Sequence, residues 1–312
     1  MDAFGWFKKC NNKLSMNILR KLRLFCIVLC FTFSSCTISS EPQKEKNTNE
    51  YKTSNAYLND FTITYEWGIN AIGYKISEHS NVRIGVIDTA NYYHSNNIYN
   101  ITVNDLTSTD SMYHGSYIVA LLNYIVPNAE IFSINIADEE GKISPESLCK
   151  GVQYAYENDC DIINISLGTQ YDYKQISREI QNVIANGTIV VASVGNDRRE
   201  TLDYPANYDG VIGVASRNKD NIDDDSNNKS LKKKYFSAPG SAVFNNEYVM
   251  SGSSIATVYM TSIIAAIVDI YPNVTLTEIT KILQEASAFS TEYSYGMLNF
   301  EKAVLAAEKI CK

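Results

Sequence analysis

The sequence predicts an α/β fold with three layers, a mainly parallel central sheet carrying helices on both faces. Three observations predict it. Short runs rich in Ile and Val recur without the polar alternation of a one-sided strand. Helical periodicity fills the intervals between them. Strand and helix then alternate along most of the chain, with no internal repeat. The 312 residues, 45% hydrophobic and 20% charged, suffice for a sizeable core.

The elements follow in order. "NVRIGVID" (81–88) is a continuous apolar run and reads as a buried parallel strand. "HGSYIVALLNYI" (114–125) reads as a helix and "AEIFSINIA" (129–137) as a strand. "SPESLCKGVQYAYEN" (144–158) opens with a Ser cap and a Pro at the first helical position. "DIINISLG" (161–168) is a strand, "YKQISREIQNVIANG" (173–187) a helix stopped by Gly, and "TIVVASVG" (188–195) a strand. "GVIGVAS" (210–216) is a further strand, and helices over 254–270, 275–286 and 300–310 close the chain. Between them "SRNKDNIDDDSNNKSLKKKY" (216–235) sets an acidic block before a basic one, and both read as solvated loop. Sites in such folds gather at the C-terminal ends of strands. Asp88, His114, Gly168 and Asn196 lie at strand ends or on the helix that follows one.

Residues 1–35 read as a targeting segment. Arg20, Lys21 and Arg23 precede an apolar run from Leu24 to Phe33 that is too short to span a bilayer. Ser34-Ser35-Cys36 resembles a bacterial lipobox, which implies that Cys36 is acylated and becomes the new N-terminus. A cleaved secretory signal or an uncleaved anchor is the plainer alternative, and Met16 is a second candidate start. Residues 36–58 are polar and nearly free of aliphatics, and read as a disordered tether to a folded body over 59–312.

Charge and cysteine count narrow the function classes. Residues 1–35 hold six of the 27 basic and one of the 35 acidic residues, so the remainder carries 21 and 34, a net −13. A body that acidic repels nucleic acid and anionic lipid, and attracts cationic substrates. After Cys36 only Cys149, Cys160 and Cys311 remain, with no spacing for a disulfide framework or a zinc site. Cys149 and Cys160 would lie roughly 16 Å apart along a helix, too far to bridge. No metal or cofactor is expected, and with no exposed apolar helix face in the pattern the expected state is a monomer.

One stretch raises a chemical question. "VMSGSSIATVYM" (249–260) places a glycine and three serines where an apolar helix begins. Ser254 there is either an ordinary helix cap or a nucleophile at a helix N-terminus. A nucleophilic serine needs a neutral imidazole to take its proton and a carboxylate to hold that imidazole. The chain has three histidines, His79, His94 and His114. The first two lie in polar loops, whereas His114 is followed by Gly-Ser at a helix start. No histidine follows Ser254, and "SGSSIA" lacks the G-x-S-x-G spacing, so an acid and base after the nucleophile are excluded. The order left open is Asp88, His114, Ser254.

Here the sequence resembles the subtilisin-like serine proteases. "VRIGVIDTA" is similar to the family's aspartate motif, "HGSYIVALL" to its histidine motif and "SGSSIA" to its serine motif. "VVASVGND" resembles the strand that ends in the oxyanion-hole asparagine, here Asn196, and "INISLG" the pocket strand, here Ser166, Leu167 and Gly168. "YPANY", "FSAPG" and "YGMLN" match further landmarks in the family's order, and the resemblance spans about residues 60–305. It implies a serine endopeptidase with Asp88 as orienting acid, His114 as general base, Ser254 as nucleophile and Asn196 as oxyanion donor. It also implies an Asp203 carboxylate at the floor of the primary specificity pocket, Asp197 at the rim, and "ADEEG" (137–141), including Gly141, as the edge strand that pairs with extended substrate. Cleavage after Arg or Lys follows as an expectation.

The departures carry expectations of their own. Tyr117 stands in place of the motif's second histidine, and Thr257-Val258 in place of a small residue and proline. The short 114–127 segment lacks the loop that holds calcium in some members, and the short tether leaves no room for a folded propeptide. A small, acidic, membrane-tethered member resembles the leader peptidases that mature lantibiotic-type bacteriocins outside Gram-positive cells. A general extracellular or spore protease is the alternative, and an inactive peptide-binding homologue a third.

Overall fold

The computed structural model describes residues 63–65, 67–73, 81–103, 113–245, 248–287 and 291–311. The segment read as a targeting signal (1–35), Cys36, the span read as a tether (36–58) and His79 lie outside the described residues.

An eight-stranded sheet forms the centre, with every neighbouring pair parallel. Its strands are β2 (Arg83–Asp88), β3 (Ile98–Thr102), β4 (Glu130–Asn135), β5 (Ile162–Ile165), β6 (Ile189–Ser193), β7 (Ile212–Arg217), β8 (Tyr235–Pro239) and β11 (Ser294–Met297). They lie in the order β11-β8-β7-β6-β5-β2-β4-β3. β1 (Ile63–Tyr65), β9 (Ser241–Phe244) and β10 (Tyr248–Ser251) make a small antiparallel sheet with β9 in the middle. The helices are α1 (Trp67–Ile72), α2 (His114–Ile125), α3 (Pro145–Glu157), α4 (Lys174–Ala185), α5 (Ser253–Ile270), α6 (Leu276–Ala286) and α7 (Phe300–Ile310).

Both faces of the sheet are covered, which is why its central strands are buried and largely apolar. Ile84, Val86, Ile131 and Val191 pack with α2 and α5. Ile87, Ile134, Ile163 and Val190 pack with α3 and α4. The period-two alternation of side chains thus splits one apolar run between two cores. α5 is the central helix, buried from Ser253 to Val268. It is the one helix among the described residues long and apolar enough to cross a membrane, and its burial explains that composition.

The predicted helices and central strands stand within a few residues of their expected bounds. Ser144 caps α3 through a reciprocal capping box with Ser147. Seven elements have no sequence signal strong enough to read: β1, α1, β3, β8, β9, β10 and β11. All are six residues or shorter, and β3 in addition mixes half-buried with exposed positions. The 216–235 segment corrects the expectation of a wholly solvated loop. Asn227 and Asn228 are buried, and Arg217 is buried in an ion pair with Asp223 at 3.0 Å. Lys233 donates to the Ala206 carbonyl at 2.8 Å and to that of Tyr208, and burial pushes its pKa down to about 8. Charged residues here satisfy backbone carbonyls and each other, so the charge pattern alone misreads their surroundings.

The strand order reverses at β2, which has β4 on one side and β5 on the other. That switch point leaves a crevice beyond the strands' carboxyl ends. Asp88 is the last residue of β2 and stands in it.

Candidate active site

Asp88 is almost fully buried. Its Oδ1 lies 2.7 Å from His114 Nδ1 and accepts from the Thr89 backbone N–H at 2.7 Å. Thr89 Oγ1 in turn accepts from the Gly115 N–H at 3.0 Å, and Ser116 Oγ accepts from the Tyr92 N–H at 2.9 Å. These bonds tie the first turn of α2 to the chain leaving β2, so the imidazole is fixed from both elements. Tyr113, just before His114, holds a left-handed φ of 52°, a strained choice for a bulky residue that persists where the surroundings over-determine it.

Ser254 answers the cap question. The N-cap of α5 is Gly252, which offers no side chain, and Ser254 is the second residue of the helix. Its Oγ caps nothing and donates to the Ser166 carbonyl at 2.8 Å, while Ser166 Oγ donates to the Ser254 carbonyl at 3.0 Å. Asn164 Nδ2 donates to Ser166 Oγ, and Asn164 Oδ1 accepts from Thr261 on the next turns of α5. The start of α5 is therefore locked to the end of β5. Ile87 of β2 pairs with Ile165 of β5, so Asp88 and Ser166 are neighbours across one strand spacing, about 4.8 Å. His114 hangs on the first and Ser254 on the second. Thr257, in place of the expected small residue, donates its hydroxyl back to the Ser253 carbonyl at 2.7 Å, and the helix continues without a break.

Asn196 completes this cluster. Its Oδ1 accepts from the Ser253 N–H at 3.0 Å, one of the orphan donors of the α5 N-terminus. With Oδ1 engaged, the amide NH₂ is the group left to donate outward. The contact requires Gly252, whose φ is 126° and where a Cβ would stand 3.0 Å from Asn196 Nδ2.

The second cluster lies beside the ends of β5 and β6. Asp203 donates its N–H to the Val194 carbonyl at 2.9 Å, and Tyr204 and Thr169 form a two-bond bridge. These bonds thread the Asp203 side chain between Gly168 and Gly195, both of which it touches. Gly195 has a φ of 94°, and a Cβ there would strike the Asp203 carboxylate and the Asn228 amide. Asp203 Oδ1 accepts from Arg199 Nη2 and, at 3.1 Å, from Asn228 Nδ2. Arg199 Nη2 also meets Asp197 at 2.8 Å. Burial pushes the Asp203 carboxyl up to about 6 and outweighs the opposing pull of Arg199. Asn228 Oδ1 accepts from the N–H groups of Asp197 and Arg199, at 3.0 and 2.9 Å.

The pattern of the Subtilase family (peptidase S8) matches residues 45–302. The chain belongs to the subtilase family. The match begins inside the span read as a tether. This subtilase is 27% identical to Subtilisin DY of Bacillus licheniformis, over 75% of this chain and 94% of that one. It is likewise 27% identical to the Thermostable alkaline protease of Halalkalibacterium halodurans, over 75% of this chain and 71% of that one. Among solved structures, the prenylagaramide maturation protease PagA superposes with a TM-score of 0.60 at 20% identity, covering 72% of this chain and 93% of that one. A serine-to-alanine mutant of the protease domain of PatA does so with a TM-score of 0.63 at 17% identity, covering 74% and 96%. The subtilase fold and the serine endopeptidase class follow.

In this subtilase Asp88 bonds His114, Ser254 bonds Ser166, Asn196 bonds the residue before Ser254, and Asp197, Gly168 and Asp203 share the second cluster. Leu167, next to Ser166, is buried. The 137–141 segment that carries Gly141 is not the extended edge strand expected. Gly141 sits exposed in a tight turn closed by an Ala137–Ile143 bridge. Asp138 Oδ1 accepts from the Glu140 and Lys142 N–H groups at 2.9 and 2.8 Å and curls the segment. Sequence reasoning missed Arg199 and Asn228. Neither had a usable signal: the four-residue spacing from Arg199 to Asp203 pairs side chains only on a helix, and this segment is a loop, while the Asn lay inside a charged run. Among the described residues no group of three or more His, Cys, Asp or Glu could hold a metal ion. Cys149 and Cys160 are free, with burial pushing both thiols up to about 12, unlike a reactive thiolate.

Proposed function

We propose that Asp88, His114 and Ser254 form the catalytic triad of an extracytoplasmic processing protease that cuts its peptide substrate after a basic residue. The observation that carries the reading is the 2.7 Å Asp88–His114 pair at the switch point, one strand away from Ser254. Ser254 Oγ turns from the Ser166 carbonyl to His114 Nε2, gives up its proton there and attacks the scissile carbonyl. Asp88 fixes the Nδ1–H tautomer and balances the imidazolium. The Asn196 amide and the Ser254 N–H take the oxyanion, at a helix N-terminus whose dipole favours negative charge. Donors of this kind supply roughly 3–4 kcal/mol to the transition state. His114 then protonates the leaving amine, and water releases the acyl group from Ser254.

Asp203, walled in beside Gly168 and Gly195, supports a basic residue before the cut. The net −13 of residues 36–312 supports attraction of cationic peptides. Limited processing, such as leader removal, finds support in the likeness to a maturation protease and in the anchor expected at Cys36. A serine-reactive phosphonate tests the triad: it labels wild type and not Ser254→Ala. Failure to label folded wild type ends the enzyme assignment to these residues. A fatty-acid label that survives Cys36→Ala would end the anchor.

A further inference from the structure

We infer that Arg199 is a specificity-determining residue, an internal guanidinium that holds the Asp203 carboxylate until a basic substrate side chain displaces it. The inference rests on the reading of Asp203 as the pocket floor.

The burial gradient places Arg199 on the solvent side. Asp203 is 2% exposed and Asn228 fully buried, whereas the Arg199 and Asp197 side chains are 28% and 31% exposed. A side chain arriving from solvent meets the guanidinium before the carboxylate. The hold is also incomplete. Arg199 uses Nη2 for both acids, and its Nε is buried without an acceptor among the described residues. A two-pronged fork would satisfy more donors and grip harder. Two carboxylates share the single Nη2 of one guanidinium, so Asp203 has only part of its hold. When a substrate Arg or Lys takes Asp203, Arg199 keeps Asp197, and neither acid is left buried and unpaired. Asn228 holds Asp203 throughout from the inner side, while its Oδ1 fixes the backbone of residues 197 and 199. The exchange therefore needs only the Arg199 side chain to swing.

The test is a matched pair of peptides with Arg or Leu before the cut, assayed on wild type, Arg199→Gln, Asp203→Asn and the double variant. Active sites are titrated with the phosphonate so that folded enzyme alone is counted. Arg199→Met, which keeps the aliphatic packing, stands in if the Gln variant folds poorly. We expect Arg199→Gln to raise the Arg-over-Leu ratio of kcat/KM about fivefold, equivalent to ~1 kcal/mol. The gain should lie in KM and vanish in the Asp203→Asn background. An unchanged or lower ratio, with Asp203→Asn still collapsing it, overturns the role of Arg199 and leaves the pocket floor standing. Equal ratios in wild type and Asp203→Asn overturn the pocket floor itself.

Discussion

The two clusters at the crevice are built differently. The Asp88–His114–Ser254–Asn196 cluster hangs on strand ends and helix starts, and its partners are mostly backbone groups whose positions the sheet register fixes. The Asp203–Arg199–Asp197–Asn228 cluster hangs on loops, and its partners are mostly charged or amide side chains. The first can change its chemistry only by changing a residue. The second can change by moving one side chain. On the proposed roles, reaction chemistry would rest on the part of the fold fixed by sheet register and substrate choice on the part held by side chains.

Substitutions in the first cluster test whether it is as rigid as its backbone partners suggest. Ser254→Ala should lower kcat about a million-fold, the scale at which a triad loses its nucleophile. Urea unfolding should change little, because the hydroxyl makes one bond; a residual rate within a thousandfold of wild type would place the nucleophile elsewhere. Asp88→Asn should cost about ten-thousandfold through the wrong imidazole tautomer. Asn196→Ala should lower kcat by about a hundred- to a thousandfold with KM nearly constant. A loss confined to KM would make Asn196 a binding group and dissolve the rigid cluster as drawn.

The adjustable cluster should respond in selectivity and in pH. The proposed selection of Arg needs Asp203 ionised, and burial pushes its carboxyl up to about 6. Arg199 and Asn228 face it directly, and Asp197 lies next to Arg199. The Arg-over-Leu ratio of kcat/KM should therefore rise between pH 5 and pH 7 by about tenfold, and Asp203→Asn should flatten that rise. Taking the ratio cancels groups that act on both peptides alike, His114 included. For stability the sign is opposite. A carboxyl whose folded pKa is raised binds more protons folded than unfolded, so this group's contribution falls as pH rises from about 4 to about 6. The smallest effect concerns Asn228. Truncation to Ala removes the amide that meets Asp203 and the N–H groups of 197 and 199, and should destabilise by about 2 kcal/mol in urea unfolding. A change below about 0.5 kcal/mol would show that the loop holds its shape without it.

The contrast also explains what could be read from the residues. Asp88, His114 and Ser254 were legible because each stands where a periodic apolar run ends or begins. Their order along the chain left one pairing once G-x-S-x-G was absent. Asp203 was legible as a position, while its partner was not, since "NDRRETLD" offers two arginines and no rule for which turns inward. The buried Asn228 hid inside a charged run. Gly141 misled because an acidic, glycine-bearing stretch reads equally as strand edge or turn, and the Asp138 side chain decides for the turn.

By itself the sequence determined the layered α/β architecture, the helices that flank the sheet and the chemical types available for nucleophile, base and acid. Those follow from local periodicity and from the identity of single residues. Tertiary structure alone decided that Ser254 does not cap its helix, that Asn196 braces that helix from the loop after β6, and that Arg199 rather than solvent meets Asp203. Each of those is a contact between segments distant in the chain, and burial, not residue type, sets which partner wins.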